Sequence, residues 1–328
     1  MEIPQAVIEI AEGIKSMRIR GAGRIARAAA EALKIAAASY EGPRNTDLLK
    51  KYLVKVGELL IKTRPTAVSL PNAVMYVLKS MRGKQDFDEV RSAVVATAEE
   101  FIKSSEEAVK KISEIGARRI KPGSVVLTHC HSTAAVELIA EAYRQGRVVK
   151  VYSTETRPFM QGRITMSHLL KYGVPAVQIP DSAVRYIMSE VDYVVVGADT
   201  IASNGAVVNK IGTSQVALAA KEARVRMYVA AESYKLSPLT LFGELVKIEF
   251  RGEDEVVPAE WLKAHPKVKV LNPVFDVTPP EYIDAIITEY GVFPPQAIII
   301  VLEEKLGWTL STTKPVEDFV AYLEELAE

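Results

Sequence analysis

Cysteine is almost missing: the 328 residues contain one. A single thiol excludes an internal disulfide and any zinc site built from several cysteines. Histidine is scarce as well, at four. Neither sign of charge is in excess, 41 Lys and Arg against 41 Asp and Glu. That balance argues against a bulk electrostatic grip on nucleic acid or an anionic membrane, and leaves room for a local basic site. No apolar run reaches the roughly 18 residues of a membrane-spanning helix. The N-terminal stretch carries acids and lacks the basic-then-apolar layout of a leader, so a cytoplasmic protein is expected. No internal repeat and no low-complexity tract stands out. What remains is a globular chain, 48% hydrophobic, long enough for about two domains at roughly 150 residues each.

The first third has helical spacing. Val7, Ile10, Ala11 and Ile14 recur at i, i+3, i+4 and i+7. Similar patterns predict helices over 23–39, 46–63 and about 86–116, with another following Pro71. The character changes near Lys121-Pro122-Gly123, after which short apolar, β-branched runs alternate with helical segments. Strands are expected at 125–128, 148–152, 176–179, 193–196, 227–230 and 297–301, and helices at 133–145 and 214–222. The Pro-rich stretch Asn272–Pro280 reads as a loop. Apolar strands separated by helices indicate a buried parallel sheet. The expected fold is α/β: a helical N-terminal domain, residues 1–120, followed by a Rossmann-like catalytic domain, residues 121–328.

Gly21-Ala22-Gly23-Arg24-Ile25-Ala26 spells G-x-G-x-x-A, but a helical pattern precedes it where the dinucleotide fingerprint needs a strand. No nucleotide cofactor follows from it. The same turn suits a phosphate, because glycines admit an anion to the backbone, the next helix offers free N–H groups and Arg20 supplies a fork of donors. An ordinary helix–helix turn with solvated arginines is the competing reading.

The lone cysteine lies in Thr128-His-Cys-His-Ser132, between a strand and a helix that Ser132 or Thr133 would cap. Cys130 then sits at the carboxyl edge of the sheet, where a helix N-terminus and flanking His129 and His131 would favour the thiolate. A small buried hydrophobe is the equal alternative. His129-Cys130-His131 also contains H-x-H, but no carboxylate–His spacing accompanies it, so no metal site is expected. A second apolar strand ends in Gly197-Ala-Asp199, whose carboxylate would face the same crevice or close an Asx turn. Asn209 and Lys210 precede a helix expected at Ser214 and could reach an anion near its start. Arg64 and Arg157 each precede a proline, and Lys235 follows the 227–230 strand. Fixed cations around a crevice suit a phosphorylated substrate, although each alone is an ordinary surface charge.

A thiol and a carboxyl with no cofactor motif form an acid/base pair able to open a sugar hemiacetal and move a proton between adjacent carbons. That is aldose–ketose isomerisation. A Cys/His hydrolase is the rival, but no orienting Asn or Asp and no nucleophile turn accompanies the cysteine.

Together, Arg20-Gly-Ala-Gly-Arg24, Thr63-Arg-Pro-Thr-Ala67, Thr128-His-Cys-His-Ser132, Glu155-Thr-Arg-Pro158, Gly197-Ala-Asp199, Asn209-Lys-Ile-Gly-Thr213, Ala231-Glu-Ser-Tyr-Lys235 and Asn272-Pro-Val-Phe-Asp-Val-Thr-Pro-Pro280 resemble one superfamily. It holds methylthioribose-1-phosphate isomerase, archaeal ribose-1,5-bisphosphate isomerase and the alpha, beta and delta regulatory subunits of eIF2B. Asn-Lys-Ile-Gly-Thr marks the superfamily; the Cys and Asp pair marks its isomerases. Gly23, where the methylthioribose branch typically carries proline, and the compact length resemble the ribose-1,5-bisphosphate branch.

The resemblance implies conversion of ribose 1,5-bisphosphate to ribulose 1,5-bisphosphate, in nucleoside monophosphate breakdown feeding an archaeal RuBisCO. It also implies activation by AMP and a hexamer built as a trimer of dimers. Methylthioribose-1-phosphate isomerisation and a non-catalytic eIF2B-like subunit are the alternatives. The expected substrate ligands are Arg20, the backbone of Gly21, Ala22 and Gly23, Arg64, Ser132, Arg157, Asn209, Lys210 and Lys235, in a cleft between the two domains. Cys130 and Asp199 are expected to carry the proton transfers, with their order open, and Ser132 to orient the substrate or merely cap its helix.

Overall fold

The computed structural model describes residues 2–237, 240 and 246–306. The chain divides into two compact units. One takes in Met1–Glu107 with a later segment beginning at Tyr234; the other takes in Ala108–Ser233 and Leu245–Gly307. Residues 307–328, which the sequence assigns to the second domain, lie outside the described residues.

The first unit is helical: α1 (Gln5–Lys15), α2 (Ala22–Ala38), α3 (Thr46–Thr63), α4 (Ser69–Leu78) and the start of α5 (Phe87–Ala117). Asn45 starts α3 by accepting the Leu48 N–H at 2.9 Å, which satisfies one of the free donors of the first turn. Ala26, Ala29, Ala30 and Leu33 of α2 are fully buried among Leu49, Leu53, Leu70, Val74 and Met75. The small alanine side chains let neighbouring helices approach α2 closely. α4 begins two residues before Pro71, so the proline lies in the first turn, where a missing N–H breaks no helical bond. Asn72 donates through Nδ2 to the carbonyls of Tyr234 and Leu236, tying the later segment to α4.

The second unit is α/β. Its strands are β1 (Ser124–Thr128), β2 (Val148–Thr154), β3 (Ala176–Ile179), β4 (Tyr193–Val196), β5 (Thr200–Ile201), β6 (Val207–Lys210), β7 (Arg226–Ala230), β8 (Phe275–Thr278), β9 (Ala285–Thr288) and β10 (Gly291–Phe293). Its further helices are α6 (Thr133–Arg144), α7 (Gly162–Lys171), α8 (Val184–Ile187), α9 (Thr213–Ala223), α10 (Ala259–Ala264) and α11 (Ile298–Leu306). Among the described residues, seven strands form one sheet in the order β10-β9-β7-β4-β1-β2-β3. All neighbours in it are parallel except β9 and β10. A smaller antiparallel sheet runs β5-β6-β8. Val126, Val151, Val195 and Ile287 of the large sheet are buried with Ala135, Leu138 and Ile139 of α6, which is why the central strands read as continuous apolar runs.

The chain leaves β1 through β2 and β3 to one side, then returns to place β4 against the other side of β1. The topological switch point therefore lies between β1 and β4, and crevices open at the carboxyl ends of such a strand pair.

The structure departs from two of the expected elements. Residues 297–301 are not a strand: a 3₁₀ turn at Pro295–Ala297 runs directly into α11. Short apolar runs read alike as strand or buried helix, and prolines at a helix start favour the helix. The Asn272–Pro280 stretch is not all loop, since β8 pairs with β6 between its flanking prolines. Among the described residues, no helix is long and apolar enough to cross a membrane.

Candidate active site

Cys130 follows β1 and Asp199 follows β4, so both leave the carboxyl edge of the sheet beside the switch point. Ser132 caps α6, its Oγ accepting the Ala135 N–H at 3.3 Å. A Cβ added to Gly197 would lie 2.3 Å from Ser132 Oγ, so the glycine before Ala198-Asp199 is what lets the α6 cap sit against the end of β4. The Asp199 N–H donates to the Val208 carbonyl at 3.0 Å, which brings β6, with Asn209 and Lys210, to the same place.

The chain bends sharply at the thiol. Cys130 has φ 69°, in the left-handed region that costs a residue with a side chain about 1–3 kcal/mol. Its N–H donates to Thr156 Oγ1 at 2.9 Å, and its carbonyl accepts from Thr165 Oγ1 at 2.8 Å. Its Sγ lies 3.5 Å from Gln161 Oε1, within reach of a weak S–H hydrogen bond. Thr156 lies inside the Glu155–Pro158 motif but was not singled out as a site residue, and the only signal for Gln161 and Thr165 was that they follow that motif within ten residues.

The expected low-pKa thiolate is not what the resting site holds. Burial pushes the thiol up to about 12; the Lys210 cation opposes this, and the Asp199 carboxylate adds to it. His129 supplies no compensating charge. It is 2% exposed, and burial pushes its imidazole below its ordinary value. Its Nε2 lies 2.9 Å from the Ile211 carbonyl and its Nδ1 2.7 Å from Thr154 Oγ1. A carbonyl only accepts, so Nε2 carries the proton and Nδ1 of the neutral ring accepts from the threonine. Gly212, at φ 101°, leaves room for that ring, whose Cε1 would stand 3.0 Å from an added Cβ. His131 Nδ1 pairs instead with Thr165 Oγ1 at 3.0 Å.

Lys210 is buried between aromatic rings, its Nζ 5.3 Å from the centre of Phe159 and 5.0 Å from that of Phe275. It and Asn209 end β6, just ahead of α9, which begins at Thr213. Asn209 Nδ2 donates to Thr213 Oγ1 at 3.0 Å. The start of α9 is already taken by an internal anion: Asp276 accepts from the N–H groups of Gly212 at 2.7 Å and Ser214 at 3.1 Å. The register of β6 with β8 puts Asn209 opposite Asp276, a placement that no local pattern reveals. Arg157 is exposed, its guanidinium donating to the Val256 carbonyl at 3.0 Å.

The second unit thus brings together Cys130, Ser132, Asp199, Asn209 and Lys210, with Arg157 one residue from Thr156. The remaining expected ligands belong to the first unit. Arg20 is exposed immediately before α2, Gly21 has φ 89° with open space where a Cβ would stand, and the Ala22 carbonyl accepts from Ser69 Oγ. Gly23 lies in the first turn of α2. Arg64 follows the last residue of α3, its N–H donating to the Ile61 carbonyl, and Lys235 is buried in a 3₁₀ turn.

Residues 18–295 match the model of the initiation factor 2 subunit family. The chain belongs to that family. It is 52% identical over 323 residues to a ribose 1,5-bisphosphate isomerase of Pyrococcus furiosus, covering 96% of this chain and 99% of that protein. It is 39% identical over 301 residues to a methylthioribose-1-phosphate isomerase of Carboxydothermus hydrogenoformans, covering 88% and 87% respectively. Among solved structures, the Pyrococcus horikoshii translation initiation factor eIF-2B superposes with a TM-score of 0.77 at 32% identity, over 90% of this chain and 99% of that one.

Proposed function

We propose that this family member is an aldose–ketose isomerase converting ribose 1,5-bisphosphate to ribulose 1,5-bisphosphate by proton transfer between Cys130, Asp199 and the sugar. One observation carries the reading: the chain's only thiol and an acid leave adjacent strands at the switch point, each within the other's field. The higher identity to the ribose 1,5-bisphosphate enzyme than to the methylthioribose enzyme supports the choice of substrate.

At rest the pair holds a thiol, and Asp199 raises its pKa. Moving the proton from the thiol to the carboxylate would leave a thiolate beside a neutral acid, with Lys210 favouring the thiolate. The acid then donates to the ring oxygen of the α-anomer as the C1–O4 bond breaks, electron density coming from the phosphate-bearing oxygen on C1. The thiolate takes the C2 proton, which gives an enol phosphate. The proton returns to C1, and Asp199 accepts the proton of the C2 hydroxyl as the carbonyl forms. Atoms balance: O4 and C1 each gain a proton, and O2 and C2 each lose one. Water must be kept from the enol phosphate, or the proton is exchanged rather than transferred.

Arg157, Ser132, Asn209 and Lys210 are proposed as ligands of the sugar phosphate, and so are Arg20, the Gly21–Gly23 backbone, Arg64 and Lys235. Activation by AMP, a hexamer of three dimers and a place in nucleotide breakdown belong to the same reading. The test is an assay with ribose 1,5-bisphosphate and methylthioribose 1-phosphate in parallel, each with and without AMP. Cys130→Ser and Asp199→Asn should keep the fold and abolish turnover of the bisphosphate. Near-normal turnover in either folded variant rejects the assigned roles. Turnover of methylthioribose 1-phosphate alone would reassign the substrate.

A further inference from the structure

Cys130 is held in its bend by a set of buried groups that take no part in the proton transfers above. Its N–H is bound by Thr156 Oγ1 at 2.9 Å, and Thr156 is itself in the left-handed region at φ 61° and fully buried. A β-branched residue rarely adopts that conformation, so something must hold it there. Asp181, just past the end of β3, does so. One carboxylate oxygen accepts the Thr156 N–H at 2.8 Å and the other the Arg157 N–H at 2.7 Å.

Behind Thr156 lies a chain of hydrogen bonds with one direction. The Ile211 carbonyl fixes the His129 tautomer, so Thr154 Oγ1 donates to His129 Nδ1. Thr154 Oγ1 must then accept from Thr156 Oγ1 at 3.2 Å, which leaves the Thr156 oxygen turned to receive the Cys130 N–H. Every member is buried, so water cannot substitute for a missing partner without being paid for in packing. On the other side, Thr165 Oγ1 holds the Cys130 carbonyl at 2.8 Å and is in turn met by His131 Nδ1.

We propose that Thr156 is the positioning residue for the Cys130 thiol, anchored by Asp181 and aligned by the Thr154–His129 chain, with Thr165 holding the opposite side of the same peptide bend. The inference deepens the isomerase reading and rests on it. Its function is aim: the thiol must meet C2 and then C1 of one sugar, and a displacement of about 1 Å at a reacting group can cost about 10²-fold in rate.

The experiment compares Thr156→Val, Thr156→Ser and Asp181→Asn with the parent in steady-state turnover of ribose 1,5-bisphosphate, with circular dichroism and melting temperature recorded for each. Thr156→Val keeps the shape and removes the hydroxyl. It should lower kcat by about 10²-fold while KM stays within about threefold. Thr156→Ser restores the oxygen and should stay within about fivefold of the parental kcat. Asp181→Asn keeps Thr156 but loses one acceptor oxygen and should lower kcat by about tenfold, with KM free to rise because the same carboxylate holds the Arg157 N–H; if Thr156→Val does not fold, parental kcat in folded Asp181→Asn overturns the proposal. Parental kcat in folded Thr156→Val, or equal damage from valine and serine, overturns the proposal. Cys130→Ser is run alongside. If that variant turns over, the acid/base reading itself falls; if it is dead while Thr156→Val is normal, only the positioning role falls.

Discussion

The close approach of Gly197 to Ser132 allows a test in which the second substitution should undo the first. In Gly197→Ala, the new methyl would stand 2.3 Å from Ser132 Oγ and 2.4 Å from Ser132 Cβ, distances that real Cβ atoms do not tolerate. Ser132 cannot yield freely, because its Oγ caps α6 through the Ala135 N–H. Forced overpacking costs about 1–3 kcal/mol, and loss of the serine cap adds about 1 kcal/mol. A total of about 2–4 kcal/mol is expected by equilibrium urea unfolding. Ser132→Gly removes both clashing atoms, and glycine is itself an acceptable cap, so alone it should cost only a few tenths of a kcal/mol, roughly. In the double variant the methyl has room, and most of the loss should be recovered, a coupling of about 2 kcal/mol. If the double variant is no more stable than the sum of the two losses, within about 0.5 kcal/mol, the steric argument is wrong. The same contact lies two residues from Asp199, so isomerase activity should fall in Gly197→Ala; the double variant is read by stability, since Ser132 is itself a proposed ligand.

The thiol should be slow to alkylate in the absence of substrate: with its pKa near 12, roughly one part in 10⁴ is thiolate at pH 8, against about a quarter for a free cysteine. Mass spectrometry after iodoacetamide treatment reads this, Lys210→Met should slow it further, and alkylation at the rate of a free thiol would refute it. Asp276 gives a stability change of unusual sign. Burial raises its carboxyl from 3.8 to about 6, so the stability tied to its protonated form is present below about pH 4 and is lost as pH rises through about 6. The parent's stability relative to Asp276→Asn should therefore fall by roughly 2.5 kcal/mol between pH 4 and pH 7. A difference that is flat or rises with pH in urea titrations would show that the backbone donors of Gly212 and Ser214 outweigh burial.

Helices and parallel strands were legible because their signals are local. The spacing of Leu49, Leu53, Val56 and Leu60 marks α3, and β3 and β4 span the residues expected of them, 176–179 and 193–196. The run at 297–301 failed because five apolar residues carry no period, and only packing chooses between strand and helix. At the site, Cys130 and Asp199 were findable because strand ends in a parallel sheet converge on one edge. The charge state of the thiol was not. A helix N-terminus and two histidines suggested a thiolate, but the histidines are turned to other partners and burial dominates.

Residue types and their order determined the α/β class, the two sheet-edge groups and the stock of cations, since each depends on chemistry within a few positions along the chain. Tertiary structure alone decided which groups share a hydrogen bond and which lose their water. Thr156 meets Cys130 across 26 positions of sequence, and Asp276 occupies the α9 start from 62 positions away from Ser214. Such pairings depend on how distant strands register, and desolvation depends on everything packed around a group. Neither quantity is a property of any local stretch of sequence.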